Sequence, residues 1–226
     1  MFDLLNVSLP ESFIIHLTLN KSTDVPGAAL SGLRECIDVS RAKTTKKVLS
    51  LLSAPDMRGV FITDAGITQR KNADLLAKIV AYARGGGTVV IGGSFKLLEG
   101  RRQADLTAAQ LEAFFQKGWG LPWKLGSQRP RKTFARNHHT ALQAPIPLPE
   151  SLTLNALHLQ GVRADAALYL PTGHSQLDSA KFRASELVET PVVVAEFGKG
   201  RLCFISESVA EKPTMDVLLA MFGISR

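Results

Sequence analysis

Apolar and polar positions follow two periods along this chain, one near two residues and one near four. Ser12-Phe13-Ile14-Ile15-His16-Leu17-Thr18-Leu19 is β-branched and aromatic, with the length of a buried strand. Pro26 then opens a helix through Leu30, Leu33 and Ile37, because a first-turn proline lacks only an N–H that has no partner there. A second helix is expected from Thr45 through Val48, Leu49 and Leu52, stopping before Pro55. Gly59 to Asp64 reads as the next strand. Asn72 to Arg84 carries Leu75, Leu76, Ile79, Val80 and Ala83 on one helical face. Gly85-Gly86-Gly87 ends that helix, since glycine takes a left-handed cap without a Cβ penalty. Thr88 to Ser94 follows as a strand and tight turn.

Thr107 and Gln110 form a capping-box pattern that starts a helix with Leu111, Phe114 and Phe115 on its apolar face. Residues 118–165 are rich in Pro and Gly and read as irregular. Ala166 to Leu170, Pro191 to Phe197 and Arg201 to Ser206 are strand-like, with a hairpin signal at Gly198-Lys199-Gly200. Pro213 opens a last helix through Val217, Leu218, Met221 and Phe222, closed by Gly223. The pattern predicts one α/β domain over residues 1–226, with a mainly parallel central sheet and antiparallel edge strands.

Composition narrows the class. With 45% hydrophobic residues in 226, the chain can bury a sizeable core, which excludes global disorder. No apolar run approaches the ~18–20 residues of a membrane span. Asp3 and Glu11 flank the first apolar stretch with no Lys or Arg ahead of it, unlike a secretory leader. Two cysteines, Cys36 and Cys203, suit a reducing, cytoplasmic setting. The net charge of +7 suggests nucleic acid until it is located. Eight basic residues between Arg101 and Arg136 stand against Asp105 and Glu112, so that segment holds +6 of it. Ser127 to Lys132 reads as a basic loop. A local cluster favours a small anion or an acidic protein partner over a nucleic acid.

Two segments together resemble a known family. One runs Tyr82-Ala83-Arg84-Gly85-Gly86-Gly87-Thr88-Val89-Val90-Ile91-Gly92-Gly93. The other runs Pro191-Val192-Val193-Val194-Ala195-Glu196-Phe197-Gly198-Lys199-Gly200-Arg201-Leu202. Over residues 55–224 the chain resembles the class I glutamine amidotransferase-like superfamily, nearest to ThuA-like proteins and the trimerisation domain of β-galactosidases. Asn137-His138-His139-Thr140 followed by Leu148-Pro149 resembles a ThuA-like segment. The resemblance implies a flavodoxin-like three-layer sandwich. Active amidotransferases of that superfamily carry a nucleophilic Cys on a strand-to-helix turn. Here the turn maps to Gly92-Gly93-Ser94-Phe95 and holds no Cys, so the resemblance implies a member without amidotransferase chemistry.

The candidate site at the C-terminal edge of the parallel strands gathers Asp64, Gly93, Ser94, Lys96, His138 and His139, because open α/β sheets bind ligands there. Asp64 is equally expected as a turn cap. Ser94, with His138 or His139 as base, would make a serine hydrolase. Gly173-His174-Ser175-Gln176-Leu177 is a partial esterase elbow, but no His follows position 174. His16 and His158 lie in apolar runs and are expected to be structural. No metal-ligand spacing, P-loop or other cofactor motif is present in the sequence. The leading expectation is a binder of a small polar or anionic ligand or a protein partner. A serine hydrolase and an oligomerisation module are the alternatives.

Overall fold

Hydrogen-bond pairing assembles the strands of the described residues into a single mixed sheet of ten. The computed structural model describes residues 12–19, 27–92, 107–174, 178–206 and 211–225. The strands are β1 (Phe13–Leu17), β2 (Asp38–Ala42), β3 (Met57–Ile62), β4 (Thr88–Ile91), β5 (Lys124–Arg136), β6 (Ser151–Arg163), β7 (Ala167–Pro171), β8 (Leu187–Thr190), β9 (Val192–Phe197) and β10 (Gly200–Ile205). The helices are α1 (Gly27–Arg34), α2 (Thr45–Leu52), α3 (Ala73–Arg84), α4 (Ala108–Ala113) and α5 (Lys212–Phe222). The spatial order is β2-β1-β3-β4-β10-β9-β7-β5-β6-β8.

The first five strands in that order are parallel, and every pairing from β10 onward is antiparallel. The sheet is therefore α/β but not mainly parallel: the antiparallel strands make up half of it instead of an edge. The parallel half is apolar on both faces because helices cover both. Ile15, Val60, Ile62, Val89 and Ile91 pack in one core with Leu75 and Ile79 of α3. Ile14, Phe61, Val90 and Cys203 pack in the other with Leu33 of α1 and Leu218 of α5.

Local signals account for most helix ends. Thr44 caps α2 by accepting from Lys47 N, and Thr107 and Gln110 make the expected capping box at α4. Pro213 sits in the first turn of α5, and Gly223 ends it at φ 68°. Other boundaries move. α1 stops at Arg34 instead of reaching Ile37, and α4 runs on as a π-helical turn from Phe114–Trp119.

The largest correction is residues 118–165, expected to be irregular, which contain the long antiparallel pair β5–β6. The basic stretch from Ser127 to Lys132, expected as a loop, lies inside β5. Register shifts between Leu125 and Gln128 and between Arg129 and Lys132 break the two-residue alternation that marks a strand. The polar edge strand β2 and the short β8 were not anticipated either.

The two glycine-rich segments of the family resemblance meet. Lys199 N donates to Arg84 O and Arg201 N to Gly87 O, both at 3.0 Å. The β9–β10 turn thus docks on the end of α3. A Cβ on Gly200 would stand 2.2 Å from Gly87 O and 2.3 Å from Ala83 O, so only glycine fits that approach.

Candidate functional site

Asp64 follows β3 at the C-terminal edge of the parallel strands, as expected, but its carboxylate faces the backbone. It is 1% exposed and accepts from Leu19 N and Gly66 N, both at 2.6 Å. It ties the end of β1 to the 3-10 turn at Ala65–Thr68 and caps that turn. Of its two expected roles the structure displays the cap. Asp64→Asn turns an amide donor toward one of these N–H groups. Chemical denaturation is expected to read a loss of about 1–3 kcal/mol, and an unchanged midpoint would contradict the capping role.

His16, in the neighbouring strand, is fully buried, with Nε2 2.8 Å from Thr63 Oγ1. His158 is buried in β6, with Nδ1 3.1 Å from Glu189 Oε1 on β8. The same carboxylate accepts from Ser127 N and Ser127 Oγ of β5. Three antiparallel strands are thereby joined by one acid.

The adjacent histidines diverge. His138 Nε2 lies 3.0 Å from Glu150 Oε2 at the surface, beside an Arg136–Glu150 contact of 3.3 Å. Such exposed pairs contribute little to stability. The His139 ring stacks on Phe182, with centroids 4.1 Å apart and planes at 22°. Both histidines follow β5, and β10, β9 and β7 stand between β5 and β4, the strand that leads to Gly92. Gly93, Ser94, Lys96 and Ser175 lie outside the described residues.

His139 lines a cleft of about 550 Å³. Its walls include Trp123, Leu187 and Val194, and its polar groups are His139, Arg163, Asp165 and Glu196. That size falls within the roughly 300–1,000 Å³ of small-molecule sites. The cleft borders Val194 to Glu196 of β9, whose β10 partners run from Cys203 back to Arg201. It therefore sits beside the first half of β10, not at the C-terminal edge where the sequence placed the site. Neither Asp64 nor His138 lines it.

Two features prepare this cleft. Arg163 grips Asp165 through both carboxylate oxygens, Nε to Oδ1 at 3.0 Å, so the guanidinium plane is fixed. The hydrogen bond to Asp165, and then its charge, pushes the Arg163 guanidinium further above its ordinary range. Leu187 is 60% exposed, a large apolar side chain left on the wall. Asn137, fully buried, ties the chain at His139 to the turn after β6. Its Nδ2 donates to Ala164 O at 2.9 Å and Ala167 O at 2.8 Å, while its Oδ1 accepts from His139 N at 3.1 Å.

Sequence reasoning missed Arg163, Asp165, Leu187 and Glu196 as site residues. They come from β6, the turn after it, β8 and β9, and the first three fall in or next to segments without a recognised strand. The Arg–x–Asp spacing was the one local signal.

Cys203 is fully buried in β10, where burial pushes its thiol up to about 12. Cys36 is half-buried between α1 and β2. Among the described residues no group of three or more His, Cys, Asp or Glu side chains could hold a metal ion. None of the described helices is long and apolar enough to cross a membrane.

No protein-family model matches the chain, and no curated protein matches it either. Solved structures do share its fold. A β-galactosidase from Bacillus circulans sp. alkalophilus aligns with a TM-score of 0.51 at 10% identity, over 93% of this chain and 30% of that one. This chain thus spans less than a third of that enzyme. A cytoplasmic protein from Salmonella typhimurium aligns with a TM-score of 0.50 at 12% identity, over 96% of this chain and 100% of its own. A protein from Bacteroides uniformis described as ThuA-like aligns at 0.48 and 9% identity, over 94% and 89%.

Proposed function

We propose that this chain is a small-molecule-binding member of the glutamine amidotransferase-like superfamily that lacks amidotransferase activity. The observation that carries the reading is the cleft around His139, Arg163, Asp165 and Glu196. The parallel half supports the flavodoxin-like assignment, because β2-β1-β3-β4-β10 reproduces the 2-1-3-4-5 order of that fold. The lack of a Cys in the sequence Gly92-Gly93-Ser94-Phe95, together with the inert setting of Cys203, supports the loss of the chemistry.

The cleft's chemistry selects the ligand class. Two carboxylates and one guanidinium line it, so it does not favour an anion. Apolar walls at Leu187 and Val194 face these polar groups. A small polar molecule with one apolar face matches both, its hydroxyl or amine groups meeting Glu196 and Asp165.

Thermal shift with a library of neutral and cationic polar fragments tests this reading. Ala141 is exposed on the cleft wall, so Ala141→Trp fills the cleft without disturbing the core. Fragments are expected to raise the wild-type Tm, by about 2.7 kcal/mol of added stability at a hundredfold excess over Kd. The same fragments are expected to leave Ala141→Trp unmoved. A library without hits, or hits that stabilise both proteins equally, would overturn the proposal.

A further inference from the structure

A second cavity, of about 450 Å³, opens at the N-terminal ends of β1, β2 and β3. Ser12, Arg34, Cys36, Asp38, Arg58 and Ser225 contribute to its lining. Arg34 ends α1 and Arg58 lies in β3, and the β2-β1-β3 pairing brings these distant positions to one opening. Among the described residues neither arginine makes an ion pair, although Asp38 lines the same cavity.

Two guanidinium groups give the cavity a positive lining, which a carboxylate that bonds neither offsets only in part. Arg34 alone has an ordinary explanation, since a cation is favourable at a helix C-terminus. Arg58 has none of that kind, because it sits on a strand. The end of α5 is already closed by its own backbone, with Gly223 N donating to Ala220 O and Ile224 N to Leu219 O. Guanidinium forks match phosphate oxygens, and the Ser12 and Ser225 hydroxyls add neutral donors.

We propose that this cavity is an oxyanion site, built by Arg34 and Arg58 for a phosphate group that is free or carried by a small organic molecule. It is separate from the cleft around His139 and does not depend on that cleft binding anything.

Cys36 serves as the reporter. It lines the cavity and is half-buried, whereas Cys203 is enclosed and its thiol is pushed up to about 12. Neutral iodoacetamide is therefore expected to alkylate one thiol of the native chain, Cys36, and to reach Cys203 only on unfolding. Sodium phosphate is expected to slow Cys36 alkylation several-fold relative to chloride at matched ionic strength. Glycerol phosphate acting at lower concentration than phosphate would identify a carried group, and equal potency a free one.

The double variant Arg34→Gln, Arg58→Gln is expected to lose this protection while keeping its melting profile, since both side chains are exposed. Phosphorus NMR gives a second measurement, with the phosphate line broadened by the wild type and not by the double variant. Equal alkylation rates in phosphate and chloride, or protection that persists in the double variant, would overturn the proposal.

Discussion

Gly200→Ala is expected to leave almost no folded protein. The new methyl would stand 2.2 Å from Gly87 O and 2.3 Å from Ala83 O, distances that no Cβ tolerates. Both obstacles are backbone, so no rotamer change relieves them. The β9–β10 turn would have to lift off α3, breaking the bonds from Lys199 N to Arg84 O and Arg201 N to Gly87 O. Gly198 makes a second close approach in the same turn, because a Cβ there would lie 2.7 Å from Arg84 O. A loss beyond about 4 kcal/mol is the expected scale, a large share of a domain's roughly 5–15 kcal/mol. Gly86→Ala is the control. Gly86 lies at φ 124° in the other glycine-rich segment, the one on which Gly200 docks, but its Cβ would meet nothing within 4 Å. It carries only a backbone penalty of about 1–3 kcal/mol. Soluble yield and urea midpoint should rank wild type, then Gly86→Ala, then Gly200→Ala. Gly200→Ala matching Gly86→Ala would contradict the docking account.

Asn137→Leu has the second largest expected effect. It removes the donor shared by Ala164 O and Ala167 O and the acceptor of His139 N, in a site with no exposure. Each buried polar group left unpaired costs about 1–3 kcal/mol, so the loss should reach about 3–5 kcal/mol. Asn137→Asp has nearly the same shape but aims a carboxylate oxygen at the two carbonyls, and should be no less destabilised. Urea denaturation of both variants gives the answer. An Asn137→Asp midpoint near wild type would show that these bonds do not hold the segment.

The sequence made the parallel half legible, apart from the polar edge strand β2, because its signals are local. β1, β3 and β4 are short apolar runs, and the helices between them carry caps, apolar faces or glycine stops at the expected residues. The β9–β10 hairpin declared itself through Gly198-Lys199-Gly200. In the antiparallel half β7 and β9 were legible, whereas β5, β6 and β8 were not. In β5, Gly126 and Pro130 with two register shifts hide the strand period. In β6 the alternation of Leu152 and Leu154 with Thr153 and Asn155 was present, but Pro- and Gly-rich flanks outweighed it.

The cleft was obscured for a related reason. Arg163, Asp165, Leu187 and Glu196 meet only when β6, β8 and β9 coil together, and no local spacing encodes that meeting. Asp64 was found because a strand-end acid is a local signal, yet the same signal marks a cap. Of the nominated residues that the structure describes, His139 alone lines the cleft.

Amide NMR mapping of polar-fragment binding tests the central claim most directly. The account predicts that binding fragments shift the amides of His139, Gly161, Ala195 and Glu196 together, with Asp64 and its neighbours unmoved. Fragments that bind with shifts confined to the C-terminal ends of β1, β3 and β4, or that fail to bind at all, would contradict it.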